Sequence, residues 1–445
     1  MTDFWKPLIR DLVERRRIPE VPPGITRDVS TAQLTGKATV IIGVRRSGKS
    51  TLLAQRMAEL RRQGVPRSDI LYLDFFDERL AGFGPHQFQD IVDAFLAERG
   101  RTEGSGRVHA FFDEIQETKG WEGFVHRAQQ HLGWQIHLTG SSSRMLSKEM
   151  ATQMRGRSLS HELFPFSFRE FLRAGNLPET ADSDEAKALI ERACEEFLEE
   201  GGFPEINTRQ AIPRERETIR TRIHQEYFSS IVQRDLILRN DAGHPVAIRD
   251  LTHKLIHDNA CIHSLNRLTE MLKAAGHSVS KTFVSDCLEW MHDAFLFFPV
   301  PIHAHSMTKR RANPNKWYCV DTGLVGSIGS KFTADRGRML ETMVFLALRR
   351  NGIAPSYHRT PSGKEIDFVY KGSDGRMRLI QVCWAMGDPA TLKRETSAME
   401  EGISELKPSE AVIVSWQGSG TIQAGGRKIE IQPAWRFLLD PAKAA

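Results

Sequence analysis

The sequence predicts an α/β protein whose first half is a doubly wound parallel sheet, and three observations predict it. The segment GVRRSGKST, residues 43 to 51, has the full G-x-x-x-x-G-K-[ST] spacing. It follows KATVII (37 to 42), a short β-branched run that reads as a buried strand, and precedes TLLAQRMAELRRQG, which has helical spacing and ends on Gly64. Three further apolar runs, ILYLDFFDE (70 to 78), VHAFFDEIQ (108 to 116) and WQIHLTGSSS (134 to 143), alternate with helical stretches. That is the order of a sheet with helices on both faces, its strand ends converging on one crevice.

The loop comes first in the chemistry. Gly43 and Gly48 let the backbone curl so that N–H groups of Val44, Arg45, Arg46, Ser47 and their neighbours through Thr51 point inward at phosphates. Lys49 adds a positive charge toward the β and γ positions, and Ser50 is placed to hold magnesium. The ligands so predicted are ATP and Mg2+. Hydrolysis needs more than binding, and VHAFFDEIQ supplies it in the manner of a Walker B element. Asp113 ends the strand, where it would hold magnesium through water, and Glu114 follows, where it would polarise the attacking water. Either Thr139 or Ser141, at the end of the fourth run, would face the γ-phosphate. Farther on, MRGRSLSHELFPFSFREFL (154 to 172) carries Arg155 and Arg157. Either guanidinium would stabilise the charge that spreads during hydrolysis, from its own subunit or from the next.

Composition sets the outer bounds. At 445 residues the chain has room for about three domains of ~150 residues. With 40% hydrophobic and 26% charged residues it is an ordinary globular sequence rather than a disordered or fibrous one. The net charge of +5, from 61 basic and 56 acidic residues, is too mild to demand a polyanionic partner. Cys194, Cys261, Cys287, Cys319 and Cys383 form no C-x-x-C pair, which argues against a disulfide framework or a zinc site and for a reducing, cytoplasmic setting. Charges interrupt the N-terminal MTDFWKPLIRDLVERRR too soon for a signal peptide, and no run of 18 apolar residues occurs, so no membrane partner is expected.

Beyond residue 175 the pattern changes. Residues 176 to 244 read as helical and charged, suited to a lid, with seven arginines against four acidic residues between 209 and 240. Residues 245 to 330 read as a winged-helix-like module: the helices PVAIRDLTHKLIH, SLNRLTEMLKAAG and SKTFVSDCLEWMHDA, then a hairpin from LFFPVPIHA and KWYCVD. Its basic tip SMTKRRANPNK (306 to 316), with Ser280 and Lys281 opening the third helix, would suit DNA; Trp290 and Met291 look like core. From 331 onward a helix containing Glu341 precedes strands near SYHRT, KEIDFVY and RLIQVCW, then the helix TLKRETSAMEEG and the strands AVIVSW and KIEIQPAW.

Taken together, GVRRSGKSTLL, FFDEIQ, LTGSSS, RGRSLSHELFPFSFREFL and GGFPE (201 to 205) resemble the prokaryotic AAA-type P-loop ATPases that bear a C-terminal domain of unknown function with a restriction-endonuclease-like core. The resemblance spans nearly the whole chain. It implies nucleotide binding and hydrolysis through the loop, Asp113 and Glu114, and a nuclease-like core in which an acidic residue on the second strand and an acidic-x-Lys pair on the third hold metal. Asp367 fits the first position. The third strand offers Gln381, Val382 and Cys383 instead, and a cysteine cannot supply a fixed positive charge. Rescue would need Glu341 and Glu365 as replacement carboxylates and Lys364 or Lys393 as a migrated ammonium, so a degenerate nuclease is expected. The domains are then 1–36 (an N-terminal helical segment), 37–175, 176–244, 245–330 and 331–445. The leading expectation is an ATPase, with a homo-oligomer allowed by the paired arginines, that drives a switch in its C-terminal half against a nucleic-acid or protein partner; an ATP-dependent nuclease and a non-hydrolysing interaction protein are the alternatives.

Overall fold

In a computed structural model of the chain, residues 4–15, 24–29, 36–101, 106–141, 156–208, 215–304, 306, 308, 310, 313–329 and 336–441 are described. The chain divides into two compact units, Met1–Leu163 and Phe164–Ala445. Residue 175 lies inside the second unit, which begins at Phe164.

The first unit is a parallel sheet of the P-loop NTPase type. Its strands are β1 (Ala38–Ile42), β2 (Ile70–Asp74), β3 (His109–Asp113), β4 (Gln135–Gly140) and β5 (Ser158–Glu162), in the order β2-β3-β4-β1-β5. All four pairings are parallel. β5, which begins just after Arg157, is a fifth strand beyond the four apolar runs. The helices are α1 (Trp5–Arg15), α2 (Lys49–Arg62), α3 (Phe88–Arg101) and α4 (Trp121–Gln130). Strands buried on both faces read as continuous apolar runs, and β1 and β4 are buried at every residue. Under α2 the core gathers Ile41, Leu53, Met57, Leu60, Ile70 and Phe111.

The second unit is mixed α/β with two sheets. A three-stranded antiparallel sheet contains β6 (Cys261–His263), β7 (Phe297–Val300) and β8 (Asn315–Cys319), with β8 in the middle. It accompanies the helices Pro245–His257, Leu265–Ala274 and Lys281–Asp293. The sequence showed β7 and β8; the three-residue β6 is too short to display a period. Met291 is fully buried, as its helix face suggested. The larger sheet holds β9 (Ser356–Arg359), β10 (Glu365–Lys371), β11 (Met377–Cys383), β12 (Glu410–Ser415), β13 (Gly420–Ala424) and β14 (Arg427–Pro433), in the order β13-β14-β12-β11-β10-β9. Helix Pro389–Leu406 covers it through Ala398, Met399 and Ile403, packed on Ile366, Leu379 and Ile413.

Backbone contacts tie the two sheets together. Tyr357 in β9 donates its N–H to Pro301 and accepts from the His303 N–H, and its hydroxyl donates to the Pro314 carbonyl just before β8. The GGFPE segment is structural. Asp321 accepts the Gly202 N–H at 2.6 Å, and a Cβ on Gly202 would stand 2.4 Å from the Phe166 carbonyl oxygen, so only glycine lets the chain pass there.

Candidate functional site

Local backbone shape builds the first site. At Gly43 the chain leaves β1 so close to the end of β5 that an added Cβ would lie 2.1 Å from the Leu163 carbonyl oxygen. Arg46 (φ 68°) and Gly48 (φ 97°) take left-handed conformations, and α2 starts immediately after. These left-handed positions turn the loop directly into the N-terminus of α2, the end of a helix that favours an anion. Lys49 is buried, and its Nζ donates to the Gly43 and Val44 carbonyls at 3.1 Å each, while lying 3.5 Å from Glu114. Ser47 is buried, and its hydroxyl lacks a hydrogen-bond partner. A buried orphan hydroxyl and an ammonium resting on loop carbonyls are what a phosphate would satisfy.

The acidic half lies on the neighbouring strand ends. Asp113 accepts from the Tyr72 hydroxyl at 3.2 Å and from the Thr139 hydroxyl on its other oxygen. The same Thr139 oxygen accepts the Glu114 N–H at 2.9 Å, which fixes the backbone of a residue at φ 48°. Burial opposes the charged form of Glu114, but Lys49, Gln116 and Arg45 outweigh it and hold the carboxyl below its ordinary range. Asp74, at the end of β2, behaves oppositely: burial first, then Asp113 and Glu114, push it up to about 6. Ser141 lies 3.5 Å from Gln116, whose amide donates to Glu114. Ser50 and Thr51 are exposed at the start of α2. The exposed Ser50 hydroxyl at the start of α2 and the Asp113 carboxylate at the end of β3 are oxygen donors, the kind a hard cation such as Mg2+ takes. Arg157 lies just before β5, where its carbonyl accepts the Ala38 N–H; Arg155 lies outside the described residues.

A second polar cluster is buried in the second unit. Lys316, on the middle strand β8, is 4% exposed, and its Nζ lies 2.5 Å from Glu341, 2.7 Å from Glu365 and 3.2 Å from Asp367. Tyr318, two residues on and on the same face, donates its hydroxyl to Glu341. Asp367 also accepts the Val382 N–H at 2.9 Å. Gln381 accepts the Asp367 N–H and donates to Glu395, which Arg394 also holds. Burial disfavours the Lys316 charge, yet the carboxylates and Tyr318 around it keep its pKa well above the ordinary value. Glu341 is pushed up to about 8, by burial first and then by Asp367, and Asp367 is raised by burial. The cluster lines a cavity of about 620 Å3.

Residues 35–172 match the family model described as an AAA domain, and residues 191–335 match a domain of unknown function, DUF8612. The uncharacterized protein MJ1544 of Methanocaldococcus jannaschii is 31% identical over 425 residues, covering 93% of this chain and 91% of that protein. An uncharacterized protein of Haemophilus influenzae is 30% identical over 349 residues, covering 75% and 80%. The chain belongs to their family. Its N-terminal part is an AAA-type domain of the P-loop class. Among solved structures, the Walker-type ATPase PABY2304 of Pyrococcus abyssi aligns over 65% of this chain and 90% of that one, at 16% identity and a TM-score of 0.43.

The structure brings Lys49, Asp113, Glu114, Thr139 and Ser141 to one end of the first sheet, and Glu341, Glu365, Asp367 and Gln381 to one cavity. Neither lysine considered as a replacement ammonium reaches that cluster's centre. Lys364 pairs with Glu401 at 2.6 Å and Lys393 is exposed. Lys316, read as the end of a basic hairpin tip, is instead buried among the carboxylates. The available signal was a lone lysine opening the otherwise apolar run KWYCV, two residues before Tyr318 and on the same strand face. Tyr72 and Asp74 were missed because an apolar strand masks polar groups aimed along its end.

Proposed function

We propose that this protein hydrolyses ATP in its first unit and uses the cycle to change the state of its second unit toward a nucleic-acid or protein partner. The observation that carries the reading is the chain of polar contacts at the strand ends: Lys49 beside Glu114, and Thr139 joining the Glu114 backbone to Asp113. On binding, Lys49 exchanges the Gly43 and Val44 carbonyls for β and γ phosphate oxygens, and Ser47 gains a partner. Ser50, and Asp113 through water, would hold Mg2+, which when bound would supply positive charge against the phosphates. Glu114 orients the attacking water and accepts its hydrogen bond, with the backbone fixed by Thr139 so that the carboxylate needs little rearrangement. Either Arg157 or Arg155 would meet the γ-phosphate late in the reaction, and if the donor is a second copy, hydrolysis will depend on protein concentration.

Lys49→Ala should abolish nucleotide binding, whereas Glu114→Gln should bind ATP and stall. The partner class is read from ATPase rates measured alone and with single-stranded DNA, duplex DNA or RNA. Wild-type turnover in both variants would sink the assignment.

A further inference from the structure

A second cavity in the same unit, of about 1230 Å3, shares no described lining residue with the cavity around Lys316. Strand register places its polar groups. Ser356 of β9 pairs with Val369 of β10, so their side chains share a face, and Lys371, two residues beyond Val369, stands on that face at the end of β10. Arg310, from the basic stretch 306 to 316, folds back onto β9. Its Nη2 donates to the Ser356 hydroxyl at 3.1 Å, while its Nε is buried with no hydrogen-bond partner. Ser356 is 4% exposed, and having accepted from Arg310 it still has its own proton to give. Among the described residues no carboxylate pairs with Arg310 or Lys371. A guanidinium without a counter-ion, beside a buried hydroxyl with a proton to donate, is a donor set that a phosphate completes.

The acceptors of the cavity are placed as definitely. Glu405 is the one acidic side chain among the described lining residues, and His358 Nε2 lies 3.0 Å from its carboxylate. His358 follows Ser356 by two residues on β9, so the guanidinium and the carboxylate are anchored to one strand face at points ~6.5 Å apart. The helices Arg336–Arg350 and Pro389–Leu406 also end here, and helix C-termini present carbonyl oxygens rather than N–H groups. Donors suited to an anion thus stand about one sugar ring away from acceptors suited to hydroxyls.

We infer that this cavity binds a small phosphate monoester that carries hydroxyl groups, a sugar phosphate or a mononucleotide, with Arg310, Lys371 and Ser356 on the phosphate and Glu405 on the hydroxyls. A monoester suits it better than a nucleic-acid strand. The Ser356 hydroxyl is buried, so a terminal phosphate has to reach inward to meet it, whereas the phosphodiesters of a strand lie along a surface. Charge points the same way, since two unpaired cations match a phosphate dianion while the lone carboxylate already has His358.

The test is calorimetry on the full-length protein, both wild type and Lys49→Ala, so that binding at the phosphate loop is separated from binding here and failure of either reading is seen by itself. The probes are ribose 5-phosphate, glucose 6-phosphate and AMP, compared with inorganic phosphate, ribose and a single-stranded oligonucleotide without terminal phosphates. At least one monoester should bind Lys49→Ala saturably at one site per chain, with ribose about tenfold weaker or more. Arg310→Gln should weaken that monoester about tenfold or more, and Lys371→Ala, at an exposed position, about two- to fivefold. Glu405→Gln separates the two ends: it should weaken the monoester yet leave inorganic phosphate bound at least as tightly. A residue that only holds the fold would weaken both together. Should Arg310→Gln fail to fold, Lys371→Glu reverses an exposed charge and must still cost about tenfold in affinity. Tighter binding of AMP than of the sugar phosphates assigns the cavity to a nucleotide, and the reverse to a sugar phosphate. No saturable binding of any monoester at about 10 mM, wild-type affinity in both Arg310→Gln and Lys371→Glu, or an oligonucleotide that binds here more tightly than every monoester overturns the inference.

Discussion

Replacing Thr139 by valine tests the circuit at the end of the first sheet with an almost isosteric change. Thr139 is fully buried, and its hydroxyl is used in both directions, donating to Asp113 and accepting the Glu114 N–H at 2.9 Å. Valine keeps the volume and deletes both bonds. Losing a hydrogen bond to a carboxylate costs about 1.5–3 kcal/mol, and orphaning a buried N–H costs about 1–3 kcal/mol, so ~2.5–6 kcal/mol is at stake before relaxation. Part of this appears as lower stability of the first unit. The rest appears where the Glu114 carboxylate must be aimed: if about 1.4–2.8 kcal/mol of it reaches the transition state, kcat falls about 10- to 100-fold. Nucleotide affinity should stay within about threefold, because Lys49 and the loop amides are untouched. The assay pairs equilibrium binding of a fluorescent ATP analogue with steady-state phosphate release, and Thr139→Ser, which restores the hydroxyl, should recover most of the rate. Unchanged turnover in Thr139→Val, or a loss of binding as severe as in Lys49→Ala, would refute the reasoning.

Two further outcomes follow from the same structure. Gly43→Ala would push a Cβ to 2.1 Å from a backbone carbonyl that cannot yield alone, so the start of the loop and the end of β5 must separate. A loss of roughly 2–4 kcal/mol in the first unit, with nucleotide binding lost in parallel, should appear in urea melts with and without ATP; a neutral variant would show that the two backbones are not held together. Acidification should also destabilise the protein. His137, wholly buried and stacked on Phe111 with ring centroids 4.3 Å apart, is held to a pKa of about 3, chiefly by burial. An unfolded histidine takes up a proton below about 6.5 while the folded one does not, so stability is full above that pH and lost as pH falls toward 3. At pH 5 this one residue accounts for about 2 kcal/mol. His137→Phe should flatten the decline of the first unit's urea midpoint between pH 7 and pH 5, and an unchanged slope would show that His137 does not titrate on unfolding.

Much of the first unit was legible because its signals are local. The strand runs ending in Asp74, Asp113 and Gly140 and the glycine spacing of 43 to 51 are each contained within a few residues. A parallel strand buried on both faces announces itself as an unbroken apolar run. β5 was harder, since Ser158–Glu162 is half-buried at every position and alternates polar residues that no core demands. In the second unit the helices and longer strands were readable, but the pairing β11-β12-β14 and the parallel return to β14 are non-local. The glycines of GGFPE look like a turn in sequence; only their approach to Phe166 and Asp321 shows why no side chain fits.

The sequence by itself determined that a phosphate loop is followed, at workable distance, by a strand ending in Asp113 and Glu114, because both motifs are short stretches whose spacing dictates their shape. It also put Gln381, Val382 and Cys383 on one strand, β11. Only the tertiary structure placed a lysine among Glu341, Glu365 and Asp367. Lys316 lies 25 residues before Glu341 and 51 before Asp367 in the chain, on a strand of a different sheet, and no periodicity links them. Hydrogen bonds from Tyr357 tie β9 to the segments flanking β7 and β8, and that junction carries the ammonium into the carboxylates. Burial then makes the arrangement consequential, since charges withdrawn from water interact strongly and must find partners.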